Sequence, residues 1–153
     1  MDIVGFVIAY YMLIRAASEL PLSRWSKNFS FLAKRNIIAY GYIIYGVLIF
    51  ILGYSTQIWH LFAIQTIIGL IDALTYPIKW PIFSKSMDKG NEEFEWGLED
   101  IGSTLLPGIF TAMAGVISVS FGLEAAFLLF AALMVISGII FLFLTNETHR
   151  NSA

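Results

Sequence analysis

The chain contains no cysteine, which excludes disulfides and thiolate metal sites and leaves the redox compartment unreadable from cysteine usage. Charge is scarce as well. Only 13% of the 153 residues are Asp, Glu, Lys or Arg, where a soluble globular domain carries about 25%. With 58% hydrophobic residues and a mean hydropathy of +0.77, the chain is too apolar to face water on all sides. The net charge of −2 lacks the basic excess that nucleic-acid binding needs, so no nucleic acid is expected as a partner. Met1-Asp2-Ile3 has no basic stretch ahead of the first apolar run, which therefore does not read as a cleaved signal peptide. No phosphate loop, HExxH or nucleophile elbow occurs, so an enzyme reading has little support and no cofactor is implied. His60, beside Trp59, and His149, in the tail, have no companions that would make a metal site.

What is present is a series of long apolar runs. A bilayer-spanning helix needs about 20 mostly apolar residues, and five stretches qualify: roughly 3–22, 36–54, 58–83, 97–119 and 123–145. The connections near Tyr54–Gln57 and Ser120–Leu123 have room only for tight turns between antiparallel neighbours. Period-2 alternation of the kind a transmembrane barrel requires is absent. The expected fold is all-α: a polytopic membrane bundle of five transmembrane helices forming a single domain over residues 1–153.

The positive charges are unevenly placed. Arg24, Lys27, Lys34 and Arg35 follow the first span, Lys79, Lys85 and Lys89 lie at and beyond the end of the third, and Arg150 follows the fifth. All fall on one side of the membrane, Arg15 is inside the first span, and the other side has neither Lys nor Arg. By the positive-inside rule the N-terminus is expected outside and the C-terminus in the cytoplasm, in the cytoplasmic (plasma) membrane. The basic cluster is mainly a topology signal, with contact to phosphate or anionic lipid as the secondary reading. An N-out start with Met1 almost at the first span looks as if a helix were missing in front of it.

A charge at the bilayer centre costs at least about 2.5–3.5 kcal/mol, so each needs a reason. In the third span Gln65, Gly69, Asp72, Tyr76 and Lys79 recur at steps of four and three, which places them on one helix face. Pro77 and Pro81 remove backbone donors and should kink or loosen the end of that helix. Such a stripe either lines an aqueous cavity or is a polar seam that glues helices together. The first span carries Tyr11, Arg15, Ser18 and Glu19 on one face, where Arg15 and Glu19 can neutralise each other at i,i+4. In the fourth span Asp100, Thr104, Pro107 and Thr111 share one face, and Gly108, Ala112 and Gly115, read as a packing surface, share another. Glu92, Glu93 and Glu95 favour the positive end of that helix's dipole. The second and fifth spans are almost uniformly apolar and read as lipid-facing. Arg15 and Asp72 lie at matched depths, roughly 18 and 21 Å along parallel helices at 1.5 Å per residue. They are expected to pair across the interface, with the local Arg15–Glu19 pair as the rival.

Two segments, "GLIDALTYPIKWPIFSKSMDKGNEEFEWGLEDIG" and "AGVISVSFGLEAAF", resemble the fourth-to-sixth-helix region of a major facilitator superfamily transporter. The resemblance lies in a Gly-rich helix ending near proline, the turn Asp88-Lys89-Gly90, and the run from Gly115 to Phe121-Gly122 with Phe127 beyond. "GFVIAYYMLIRAASELPLSRW" is similar to that family's second helix and the start of its cytoplasmic loop. Four positions depart from the pattern. Ser23 and Lys27 stand where the loop usually has Gly and Asp, Gln65 stands where the fourth helix usually has Arg, and Glu124 replaces an Arg after Phe-Gly. The match corresponds to helices two to six of an N-terminal half, without the first helix and the C-terminal half.

The resemblance implies transmembrane transport of a small solute, as part of a secondary transporter in which two six-helix halves rock around a midplane site. The implied partners are the lipid bilayer, an unknown small solute, and either the missing helix and half or a second subunit. Arg15, Glu19, Gln65, Asp72, Tyr76, Lys79, Asp100 and Thr104 are the candidate substrate or coupling residues. The alternative is a membrane scaffold or regulator that keeps a truncated transporter fold without transporting.

Overall fold

Five helices in sequence make up the architecture: α1 (Ile3–Ser26), α2 (Phe31–Gly53), α3 (Ile58–Ser86), α4 (Glu92–Phe121) and α5 (Leu123–Leu142). They come from a computed structural model that describes residues 3–143, apart from the side chains of Val4 and Ser86. His149, Arg150 and the end of the fifth expected span lie outside the described residues. α2, α4, α5 and α3 up to Lys85 are long and apolar enough to cross a membrane. α1 has 24 residues, about 36 Å of helix, and carries Arg15, Glu19 and Arg24.

The helices outrun the apolar spans mostly at the ends that carry the basic residues, and local chemistry sets those ends. α2 starts five residues before its span because Ser30 caps it, its hydroxyl accepting from Ala33 N at 3.2 Å. α4 begins at Glu92, where the Glu92 and Glu95 carboxylates accept from Gly90 N (2.9 Å) and Asp88 N (3.0 Å). They fold the α3–α4 turn back on itself beside the positive helix end. α3 runs on past Pro77 and Pro81, so whatever bend the prolines impose does not interrupt the helix. At the α4–α5 junction Gly122 alone makes the turn at φ +91°, a conformation open to Gly at little cost.

The helices pack one along the next in the spatial order α1–α3–α2–α5–α4. The broadest contact is α2 with α5, which corrects the reading of both as simply lipid-facing. α2 buries Ile38, Ala39, Gly41, Gly46 and Leu48, and α5 buries Ala126, Ala131 and Gly138. A Cβ on Gly46 would lie 2.7 Å from Ala131 O, and one on Gly138 would lie 2.6 Å from Ala39 O. Small residues thus bring two backbones together, the means by which helices associate where lipid is as apolar as leucine. Leu48, Ile64 and Ile68 then join α2 to α3, with Tyr11 of α1 packed against them.

α4 is the outlier. It buries none of its residues, leans on α5, and meets α3 through Trp96 and Glu99. Nothing lies within 4 Å of a Cβ placed on Gly108 or Gly115. The expected packing face is therefore open among the described residues.

Candidate functional site

The polar residues converge where α1 meets α3. Gly69 permits the approach: a Cβ there would lie 3.3 Å from Tyr11 O and 3.2 Å from Ile14 Cγ2. The Tyr11 hydroxyl then reaches across and donates to Asp72 Oδ2 at 2.5 Å. Arg15, one turn along α1, donates from Nη1 to the same hydroxyl at 3.4 Å. Its Nε lies 3.9 Å from Glu19 Oε2, and its guanidinium sits 4.6 Å from the centre of the Tyr76 ring. The arrangement is a chain of groups, Glu19–Arg15–Tyr11–Asp72, floored by an aromatic face. Nearer the α1 start, Tyr10 and Thr66 share a hydroxyl–hydroxyl bond of 2.9 Å.

The expected direct pairing of Arg15 with Asp72 is not made: among the described residues no ion pair joins them. The tyrosine occupies the space between, and the rival Arg15–Glu19 contact is the one present. A shared phenol satisfies both ions without bringing them together, which tempers the desolvation each would otherwise suffer. Tyr11 was legible on the Arg15 face of α1, but nothing in the sequence marked it as the bridging group.

The α3 stripe divides between two neighbours. Gly69, Asp72 and Tyr76 face α1, and Gln65, half-buried, makes no hydrogen bond among the described residues. Lys79 turns toward α4, with Nζ 3.9 Å from Glu99 Oε1 and 5.1 Å from the centre of the Trp80 ring. Beside it Trp80 stacks on Trp96 at 5.4 Å and 27° between planes, and Phe83 meets Trp96 edge-on at 5.3 Å. This clasp joins α4 to α3. Glu99 and Trp96, one turn apart on α4, are contributors that the choice of the Asp100 face overlooked.

Asp100 and Thr104 are not brought to the α1–α3 cluster. Both lie on the open flank of α4 with Leu105, Gly108 and Ala112, along a shallow depression of about 620 Å³ lined by α4 alone. Among the described residues no three His, Asp or Glu side chains come together as metal ligands would. The α1–α3 cluster can therefore offer a carboxylate, a guanidinium, a phenol and an aromatic face.

No curated protein and no solved structure matches the chain. A family model does: Major Facilitator Superfamily, over residues 1–153. Apolar helices, small-residue packing and a polar seam inside the bundle accord with that match, and the chain belongs to the Major Facilitator Superfamily of membrane transporters.

Proposed function

We propose that the chain forms part of the N-terminal half of a secondary transporter for a small solute, and that the α1–α3 cluster lines the solute path. One observation carries this reading. Tyr11, Arg15 and Asp72 are joined across two helices at mid-length, where polar groups are expensive and mark substrate or ion pathways. α1 crosses the membrane as a fifth span in this reading, its length sufficing and its charges turned to α3. The basic ends face the cytoplasm, with the N-terminus outside and the C-terminus inside the plasma membrane. Transporters of this family alternate access by moving two halves around a midplane site. The open side of α4 is where a further helix, and beyond it a second half or subunit, would complete that architecture. Arg15, Glu19, Asp72 and Tyr76 act at the path with Gln65 further along the same α3 face, Lys79 fastens α4, and Asp100 and Thr104 border the space that α4 leaves open.

The test belongs in the native host, where any partner is present. Disrupting the gene should change the uptake or efflux rate of at least one small solute. Asp72→Asn and Arg15→Gln at the chromosomal locus should reproduce that change with the membrane content of the protein unaltered. If disruption alters no solute flux, or both variants behave as wild type, the transport reading fails and a non-transporting scaffold takes its place.

A further inference from the structure

At the basic end of the bundle, three elements line a half-open pocket of about 240 Å³ that includes Arg24, Ser26, Lys27, Lys34, Pro77 and Pro81. The end of α1 and the turn after it supply Arg24 and Lys27, the first turn of α2 supplies Lys34, and the proline-bearing end of α3 forms the wall. No carboxylate lines it. The nearest acid on α1, Glu19, is committed to Arg15. Among the described residues Arg24, Lys27 and Lys34 make no ion pair. Lys34 Nζ donates to Lys27 O at 3.2 Å, which holds one ammonium over the other's backbone and leaves further N–H donors free. Ser26 is buried at 3% exposure, and its hydroxyl is held by Ser23 O at 3.3 Å. Arg24 and Lys27 are exposed and Lys34 is half-buried, so the three cations line one open pocket, where their mutual repulsion is relieved when an anion lies among them.

Two further observations bear on where that anion would come from. Trp25, between the pocket residues Arg24 and Ser26, is 61% exposed and packs edge-on against Phe29 at 4.8 Å. An outward indole next to a basic turn is the arrangement found at the headgroup level of a bilayer. Pro77, Ile78 and Pro81 give the pocket an apolar side on α3 opposite its basic residues. Basic pockets between helices at this level suit phosphate headgroups.

We propose that this pocket binds a phosphate-bearing anion, with Arg24, Lys27 and Lys34 as its ligands, supplied by an anionic phospholipid headgroup or by soluble phosphate. Arg24 offers a planar fork suited to two phosphate oxygens, and the lysines act as point charges on a third. A phosphate there bridges α1, α2 and α3, so binding stabilises the bundle by mass action.

The experiment uses the full chain, delipidated in a neutral detergent, with the apparent Tm measured against rising probe concentration. The probes are short-chain phosphatidylglycerol, short-chain phosphatidylcholine, inorganic phosphate and chloride. Phosphatidylglycerol should raise the Tm at a concentration at least tenfold below that at which phosphatidylcholine does. Protection by inorganic phosphate beyond that of chloride would name soluble phosphate as the source, and protection by the lipid alone would name the headgroup. Lys27→Gln with Lys34→Gln should abolish the shift, each variant being referred to its own unliganded midpoint. Lys85→Gln with Lys89→Gln, which alters basic residues outside the pocket, should leave it intact. Should the pocket variants fail to fold, the wild-type comparison decides by itself. Equal response to all four probes, or equal loss in the two variant pairs, overturns the proposal.

Discussion

The Tyr11 hydroxyl stands between Asp72 and Arg15, donating to the carboxylate at 2.5 Å while receiving a guanidinium N–H at 3.4 Å. Asp72 thus takes its hydrogen bond from a neutral group on the facing helix. Tyr11→Phe leaves the half-buried carboxylate without that bond, and a lost partner of this kind costs about 1–3 kcal/mol. Glu19→Gln touches a pair 3.9 Å apart and partly exposed, worth under about 1 kcal/mol. Thermal unfolding in detergent should rank Tyr11→Phe well below Glu19→Gln in stability. Equal midpoints would show that the phenol does not support Asp72.

The glycines of α2 and α5 should behave unlike those of α4. Gly46→Ala and Gly138→Ala drive a methyl to within 2.7 and 2.6 Å of a backbone carbonyl oxygen, so the helices must part, at about 1–3 kcal/mol each. Gly108→Ala and Gly115→Ala meet open space and should be neutral or stabilising by up to about 1 kcal/mol through helix propensity. The same melting series checks both. Destabilisation by Gly115→Ala in the native host but not in the purified chain would reveal a partner against that face.

The clasp between α3 and α4 rests more on rings than on charge. Trp96→Ala removes both the stack on Trp80 and the edge contact with Phe83, each worth about 0.5–1.5 kcal/mol beyond area burial. Lys79 and Glu99 have side chains 39% and 19% exposed, so their coupling in a double-mutant cycle should stay below about 1 kcal/mol. Trp96→Ala should therefore speed hydrogen exchange in the first turns of α4 more than Glu99→Gln does. The opposite order would make the ion pair the fastening element.

The basic segments should share a membrane side. Cysteines introduced singly at Ser30 and Lys89, in a chain with none of its own, should react with an impermeant maleimide from the same face of sealed vesicles. Labelling from opposite faces would reverse the α2–α3 topology and remove the ground for the N-outside orientation.

The number of helices and most of their ends were written locally. Apolar runs of span length, Ser30 as a cap, glutamates opening α4 and Gly122 as a one-residue turn act within a few residues of chain. Residues sharing a face were legible too, because 3.6-residue periodicity puts Tyr11 with Arg15 and Asp72 with Tyr76 whatever surrounds them. Which faces meet was settled only in the folded bundle. α2 and α5 are so evenly apolar that no contrast marks a contact side, and small-residue packing chose it. On α4, Glu99 and Asp100 differ by a single step, about 100° around the axis, and the rotation of α4 that stacks Trp96 on Trp80 is the one that brings Glu99 to Lys79. The phenol between Arg15 and Asp72 and the triad Arg24, Lys27 and Lys34 likewise depend on how separate helices are turned against one another. That rotation is fixed by packing summed over distant residues, and the period of one helix carries no record of it.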